Sequence, residues 1–175
     1  MVSDTNAILK ARTARLAAVP SVPVRRATER HVVARADRLR YAVRADAVVG
    51  VTSVALVCPL PGVLPTVAGL ISYRGNPLVA FHSTAALDHA RQVLAEHTLA
   101  LVFGRHQPEF ALLVDEANQV LDIALDSLAP PPEALAPNAR ELIAGVSGDG
   151  VIVLNVDALF ESERLHVQTY LRRQR

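Results

Sequence analysis

The chain has one cysteine, Cys58, and one lysine, Lys10. A lone cysteine cannot close an internal disulfide or supply a cysteine cluster for zinc. No Gly-Lys-Ser/Thr and no G-x-G-x-x-G occurs, which excludes a Walker loop and a dinucleotide fingerprint. Long apolar runs are also missing. Stretches such as 48–51 and 54–58 are broken by polar residues or proline, far short of the roughly 18–20 residues of a membrane-spanning helix. The opening stretch, MVSDTNAILKARTARLAAVP, carries Asp4 early and no compact apolar segment, so it does not read as a secretory signal. The cytoplasm is the expected compartment.

What is present is apolar bulk. With 175 residues, 51% hydrophobic and 20% charged, the chain suits one globular domain, or two small ones sharing a core, and is too apolar to be disordered throughout. The net charge of +1 hides an uneven distribution. Residues 1–44 hold ten Lys/Arg and three Asp/Glu, residues 45–160 hold four and twelve, and residues 161–175 hold four and two. A basic head therefore precedes a mildly acidic body. Such a head can touch nucleic acid or acidic lipid. The simpler reading is a solvated arginine-rich leader, because no aromatic lies among the first forty residues to stack on a base.

Along the chain, residues 4–18 have helical spacing, with Ile8, Leu9 and Leu16 apolar, and Pro20 and Pro23 end it. Residues 20–30 read as an extended linker. From His31 onward short β-branched and aromatic runs dominate. A hairpin is expected around Ala36-Asp37, a short strand or turn at 46–51, a β-like run at 54–57, and strands at 67–73 and 78–81 joined through Arg74-Gly75-Asn76-Pro77. Residues 84–97 read as a helix capped by Ser83 or Thr84. Strands return at 99–103, 110–114 and 120–123. A proline-rich surface loop spans 126–138. Apolar runs at 141–146 and 151–156 flank Ser147-Gly148-Asp149-Gly150, a strong hairpin signal. Residues 157–172 are helical in pattern. Nine or ten short strands at this spacing point to a mainly β fold of small barrels or a sandwich, not a parallel α/β sheet.

Candidate chemistry is sparse. The six histidines, at 31, 82, 89, 97, 106 and 166, form no metal-ligand spacing. His82-Ser83 with Asp88 could be drawn as a hydrolase fragment, but no nucleophile elbow accompanies it. Cys58, flanked by apolar residues and Pro59, reads as a small buried hydrophobe. Asp115-Glu116, adjacent on a strand, would point to opposite sides. No catalytic residue, metal site or cofactor is expected; the chain reads as one that acts through its surface.

The order of motifs carries a resemblance. Tyr41-Ala42-Val43, Ala47-Val48-Val49-Gly50-Val51 and Val67-Ala68-Gly69-Leu70-Ile71-Ser72-Tyr73-Arg74-Gly75, followed by Leu112-Leu113-Val114-Asp115, Leu128-Ala129-Pro130-Pro131-Pro132 and Ile143-Ala144-Gly145-Val146, resemble the stations of the CheW-like family of bacterial chemotaxis coupling proteins. The resemblance implies two small SH3-like β-barrels packed together. It divides the chain into a basic arm and linker at 1–30, the CheW-like domain at 31–160 and a C-terminal helix at 161–175. It implies a non-catalytic adaptor that joins a CheA-type histidine kinase, through that kinase's regulatory domain, to the cytoplasmic tips of methyl-accepting receptors, in the cytoplasm or recruited to receptor arrays. By position, it makes Val48, Val49, Gly50, Val51 and Arg74 kinase-interface candidates, and Gly69, Leu99 and Ala111 receptor-interface candidates. The chain departs from the family where a glutamate is usual and Gly50 stands, which leaves Arg74 without that partner; Asp46 is the candidate substitute. It departs again at 78–83, Leu-Val-Ala-Phe-His-Ser. The alternative is a small nucleic-acid-binding barrel using the basic arm; a hydrolase built on His82 or Cys58 is the third reading.

Overall fold

The computed structural model describes residues 27–83, 99–162 and 165. The expected helices at 4–18 and 84–97 lie outside them, as does most of 157–172. Ten strands form two five-stranded sheets. The first takes β1 (Thr28–Ala36), β2 (Leu39–Arg44), β8 (Glu116–Ala124), β9 (Ile143–Val146) and β10 (Ile152–Leu154) in the order β8-β1-β2-β10-β9. The second takes β3 (Val48–Ser53), β4 (Val67–Tyr73), β5 (Asn76–His82), β6 (Leu99–Phe103) and β7 (Phe110–Val114) in the order β3-β6-β7-β5-β4. Two short α-helices, α1 (Pro137–Glu141) and α2 (Val156–Glu161), and 3-10 turns at Ala45–Ala47 and Leu125–Ser127 lie between and after the strands. This is the mainly β fold of two SH3-like subdomains that the strand pattern and the resemblance lead one to expect.

The burial pattern explains why the strands alternate so poorly in sequence. Every residue of β7 is buried. Phe110, Leu112 and Val114 enter a core shared between the sheets, whereas Ala111 and Leu113 enter a second core with Ile71, Tyr73 and Val102. β6 divides in the same way, Leu101 and Phe103 against Ala100 and Val102. In the first sheet, Tyr41 and Val43 reach the shared core while Ala42 packs with Val33 and Val153 in a third. A strand buried on both faces reads as a continuous apolar run. Each barrel thus has its own small core, and a larger one joins them. All four phenylalanines belong to the joint: Phe110 stacks on Phe103 at 5.0 Å and meets Phe81 and Phe160 edge-on at 6.1 and 5.6 Å. Such pairs add about 0.5–1.5 kcal/mol each beyond their buried area.

The hairpins form as the turn chemistry dictates. Asp37 takes φ +54° between β1 and β2, and Arg74 and Gly75 take +50° and +82° between β4 and β5, the all-positive pattern of a tight two-residue hairpin turn. Asn76 and Pro77 belong to β5 and not to the turn. The Ser147–Gly150 turn joins β9 to β10. Two pairings are parallel, β2 with β10 and β5 with β7.

Other expectations are corrected. β1 begins at Thr28, so the last residues of the expected linker pair with β8. The run at 54–57 forms no strand: Pro59, Pro61 and Pro65 lack ladder donors, and a single bridge, Cys58 to Leu70, is made there. Cys58 is exposed, not buried. Residues 137–141 are helical, with proline in the first turn, and strand begins only at Ile143. Val156 opens α2 under a side-chain cap, Asn155 Oδ1 accepting from the Ala158 N–H at 3.2 Å.

Candidate functional site

The kinase-interface candidates gather at the open seam of the second barrel. β3 and β4 are the two edges of that sheet, and each carries a register shift at its glycine end, between Val48 and Gly50 on β3 and between Val67 and Gly69 on β4. Such bulges bend the strands and curl the sheet. The bend brings Gly50 against Tyr73: a Cβ on Gly50 would lie 2.6 Å from the Tyr73 Oη. The tyrosine is buried, and its ring occupies the space a β3 side chain would need. Above the ring lies Arg74, its Cζ 5.1 Å from the centroid. Gly50, Tyr73 and Arg74 therefore form one stacked unit. Val48 and Val49 are half-buried beside it, and Val51 is 43% exposed. Asp46 does not serve Arg74. Its carboxylate accepts from Arg44 Nε at 2.8 Å.

The receptor-interface candidates are placed differently. Ala111 is fully buried in the core of the second barrel. Gly69 is buried at φ +144°, with the backbone carbonyl of Cys58 pressed where a side chain would stand. Leu99 is half-buried at the start of β6. Of the three, only Leu99 presents side-chain surface; the other two shape the backbone beneath.

Two charged assemblies escaped the sequence reading. Asp115 and Glu116 do not point apart. They converge on Arg35, at 3.6 and 2.7 Å, and Asp115 Oδ2 also accepts the Asp37 N–H at 2.6 Å. The hydrogen bond from Arg35 holds the Glu116 carboxyl below the usual carboxylate range. The group ties the β1–β2 turn to the β7–β8 junction. Asp115 sits between two strands, so strand alternation does not govern it. Arg44, in turn, reaches Asp46 and, at 3.8 Å, Asp157 on α2. Arg105 lies over the Phe160 ring at 4.7 Å. Between them is a recess of about 170 Å³ lined by Arg44, Asp46, Gly104, Arg105 and Phe160.

Among the described residues no group of three His, Cys, Asp or Glu could hold a metal ion. Ser83 is buried, its hydroxyl donating to the Leu113 carbonyl at 2.7 Å, which commits it to structure. No described helix is long and apolar enough to cross a membrane.

The fold defines a class, a mainly β protein of two SH3-like subdomains. The family model for the CheW-like domain matches residues 30–164, and the chain belongs to that family. The crystal structure of the scaffolding protein TtCheW from Thermoanaerobacter tengcongensis is similar, with a TM-score of 0.63 at 18% sequence identity, over 79% of this chain and 96% of that one. At that identity the likeness is one of fold. Comparison with curated proteins finds no match.

Proposed function

We propose that the chain is a non-catalytic adaptor, coupling a CheA-type histidine kinase to methyl-accepting receptors in the cytoplasm. The family match over residues 30–164 carries this reading. The two-barrel fold with a shared phenylalanine core supports it, because a bridging protein needs a stiff body between its two contacts. The kinase contact is assigned to Val48, Val49, Gly50, Val51 and Arg74, where an arginine stacks beside exposed apolar surface. The receptor contact is assigned to the surface around Leu99, with Gly69 and Ala111 shaping it from below. Nothing observed favours the nucleic-acid alternative.

Capture experiments test the reading. The full chain, and a variant cut ahead of β1 that lacks residues 1–26, are presented at two salt concentrations to the CheA-type regulatory domains of the same genome and to a receptor tip fragment. Capture of one kinase by both forms is expected. Failure of both forms to bind any kinase domain or receptor tip refutes the proposal.

A further inference from the structure

Four strands stand at the edges of the two sheets, β8 and β9 in the first and β3 and β4 in the second. An edge strand offers unpaired N–H and C=O groups to any other strand, so folds cover or distort their edges. Three of the four are treated in this way. Ala129 bridges Val146 on β9, and Cys58 bridges Leu70 on β4. β3 carries a register shift, and the Tyr73 hydroxyl lies close against its Gly50. β8 has no such cover among the described residues: it pairs with β1 alone. It is nine residues long, and no Lys, Arg or Pro occurs from Asp115 to Ala129. Its one irregularity is Asn118, which the β1 register skips between Ala117 and Gln119; residues 119–124 pair regularly. Five large hydrophobics are exposed among the described residues. Three of them, Val120, Leu121 and Leu125, fall on β8 and its exit, at 61%, 39% and 44% exposure.

Charge selects the occupant. Glu116 is held by Arg35 at 2.7 Å, and Asp122 stands opposite Arg30 in the register with β1. Together β1 and β8 hold two arginines and three acids, so this edge is close to neutral and does not demand a strongly charged partner. Pairing β8 antiparallel with its own copy then depends on register. With Val120 opposite Val120, Glu116 meets Ala124, Asp122 meets Asn118 and Gln119 meets Leu121. Moving the centre by one residue, to Gln119 or to Leu121, sets Glu116 against Asp122 or against Asp126. Like charges directly opposite are destabilising, which leaves the register at Val120. We propose that β8 is a self-association edge, pairing antiparallel with β8 of a second copy about a two-fold axis at Val120. The two five-stranded sheets become one of ten. Assembly stops at two copies, because the outer edge of the joined sheet is β9 at both ends, where Ala129 is already bridged. None of the residues assigned to the kinase or receptor contact lies on β8, so the pairing is independent of the adaptor reading.

Sedimentation velocity on the full chain, over a concentration series, reads the association. The parent should pass from monomer to dimer and no further. Val120→Lys and Val120→Glu should each stay monomeric. An equimolar mixture of the two should restore the dimer, because residue 120 faces its own copy in this register and opposite charges across a strand pair attract. Val120 is exposed, so both variants should keep the parent's circular dichroism, and should melt as the parent does when all three are dilute enough to be monomers. A parent that remains monomeric throughout the series overturns the proposal. A dimer that both substitutions leave intact also overturns it, since the interface then lies on another face. Variants that are monomeric alone and still monomeric when mixed overturn the two-fold register at Val120.

Discussion

Tyr41 is 2% exposed in the core shared by the two barrels, and its hydroxyl has no hydrogen-bond partner among the described residues. Stranding a buried hydroxyl costs about 1–3 kcal/mol, whereas an apolar group of the same shape forfeits nothing. Tyr41→Phe keeps the ring and its packing, so it should stabilise the chain by about 1 kcal/mol, raising the melting temperature by about 2–4 °C for a chain of this size. Tyr41→Ala removes the ring as well and should cost about 3–5 kcal/mol. Alkali widens the gap between parent and Tyr41→Phe. Burial, and secondarily the charge of Asp37, raise the phenol's pKa in the fold. The unfolded tyrosine ionises near pH 10, so above that pH the unfolded state gains a proton-release route closed to the native state, and the parent loses stability as pH rises. The Phe variant lacks this loss. Thermal melts from pH 7 to 10.5 measure both effects. A Phe variant less stable than the parent by 1 kcal/mol or more, on the order of a typical satisfied hydrogen bond, would mean that the hydroxyl is bonded and would refute the reasoning.

Three further substitutions probe the seam and the turn. Gly50→Ala should destabilise the parent by about 1–3 kcal/mol yet be nearly neutral in a Tyr73→Phe background, where the nearest ring carbon is 3.5 Å from the new methyl; equal costs in both backgrounds, read by urea melts, would break the link. Gly69→Ala combines a positive φ with a methyl driven into the Cys58 carbonyl, and should cost about 2 kcal/mol or more, or prevent folding, as soluble yield and circular dichroism report. Arg35→Ala should lower stability slightly at pH 7. Because Arg35 depresses the Glu116 pKa, the difference is present above the unfolded carboxylate value near 4.3 and disappears as pH falls through the folded one; a difference that persists at pH 2 would assign the arginine a packing role instead.

Local chemistry made the hairpins legible: Asp37, Arg74-Gly75 and Asp149-Gly150 stand where the chain reverses. The parallel pairings of β2 with β10 and β5 with β7 were not legible, because each joins segments whose contact is set by closure of a barrel and not by a turn. The 54–57 run misled because β-propensity describes fitness for a paired surface, and the following prolines leave nothing to pair with. Asp115 and Glu116 misled for the opposite reason. Alternation was applied across a strand break, where the backbone turns and both carboxylates swing to Arg35.

The glycine at position 50 shows how a departure from the family's pattern is best understood. Taken as a sequence change, it removes a carboxylate and leaves Arg74 unpaired, which suggests a lost contact. In the fold a Cβ at position 50 would lie 2.6 Å from the Tyr73 Oη, and Arg74 lies over the Tyr73 ring. The arginine is exposed and stacked, with no ion pair among the described residues. An exposed salt bridge contributes about 0–1 kcal/mol to stability, so its absence costs the fold little. A repacked contact and an abandoned one predict opposite effects of Arg74 substitution on binding, with the same effect on melting.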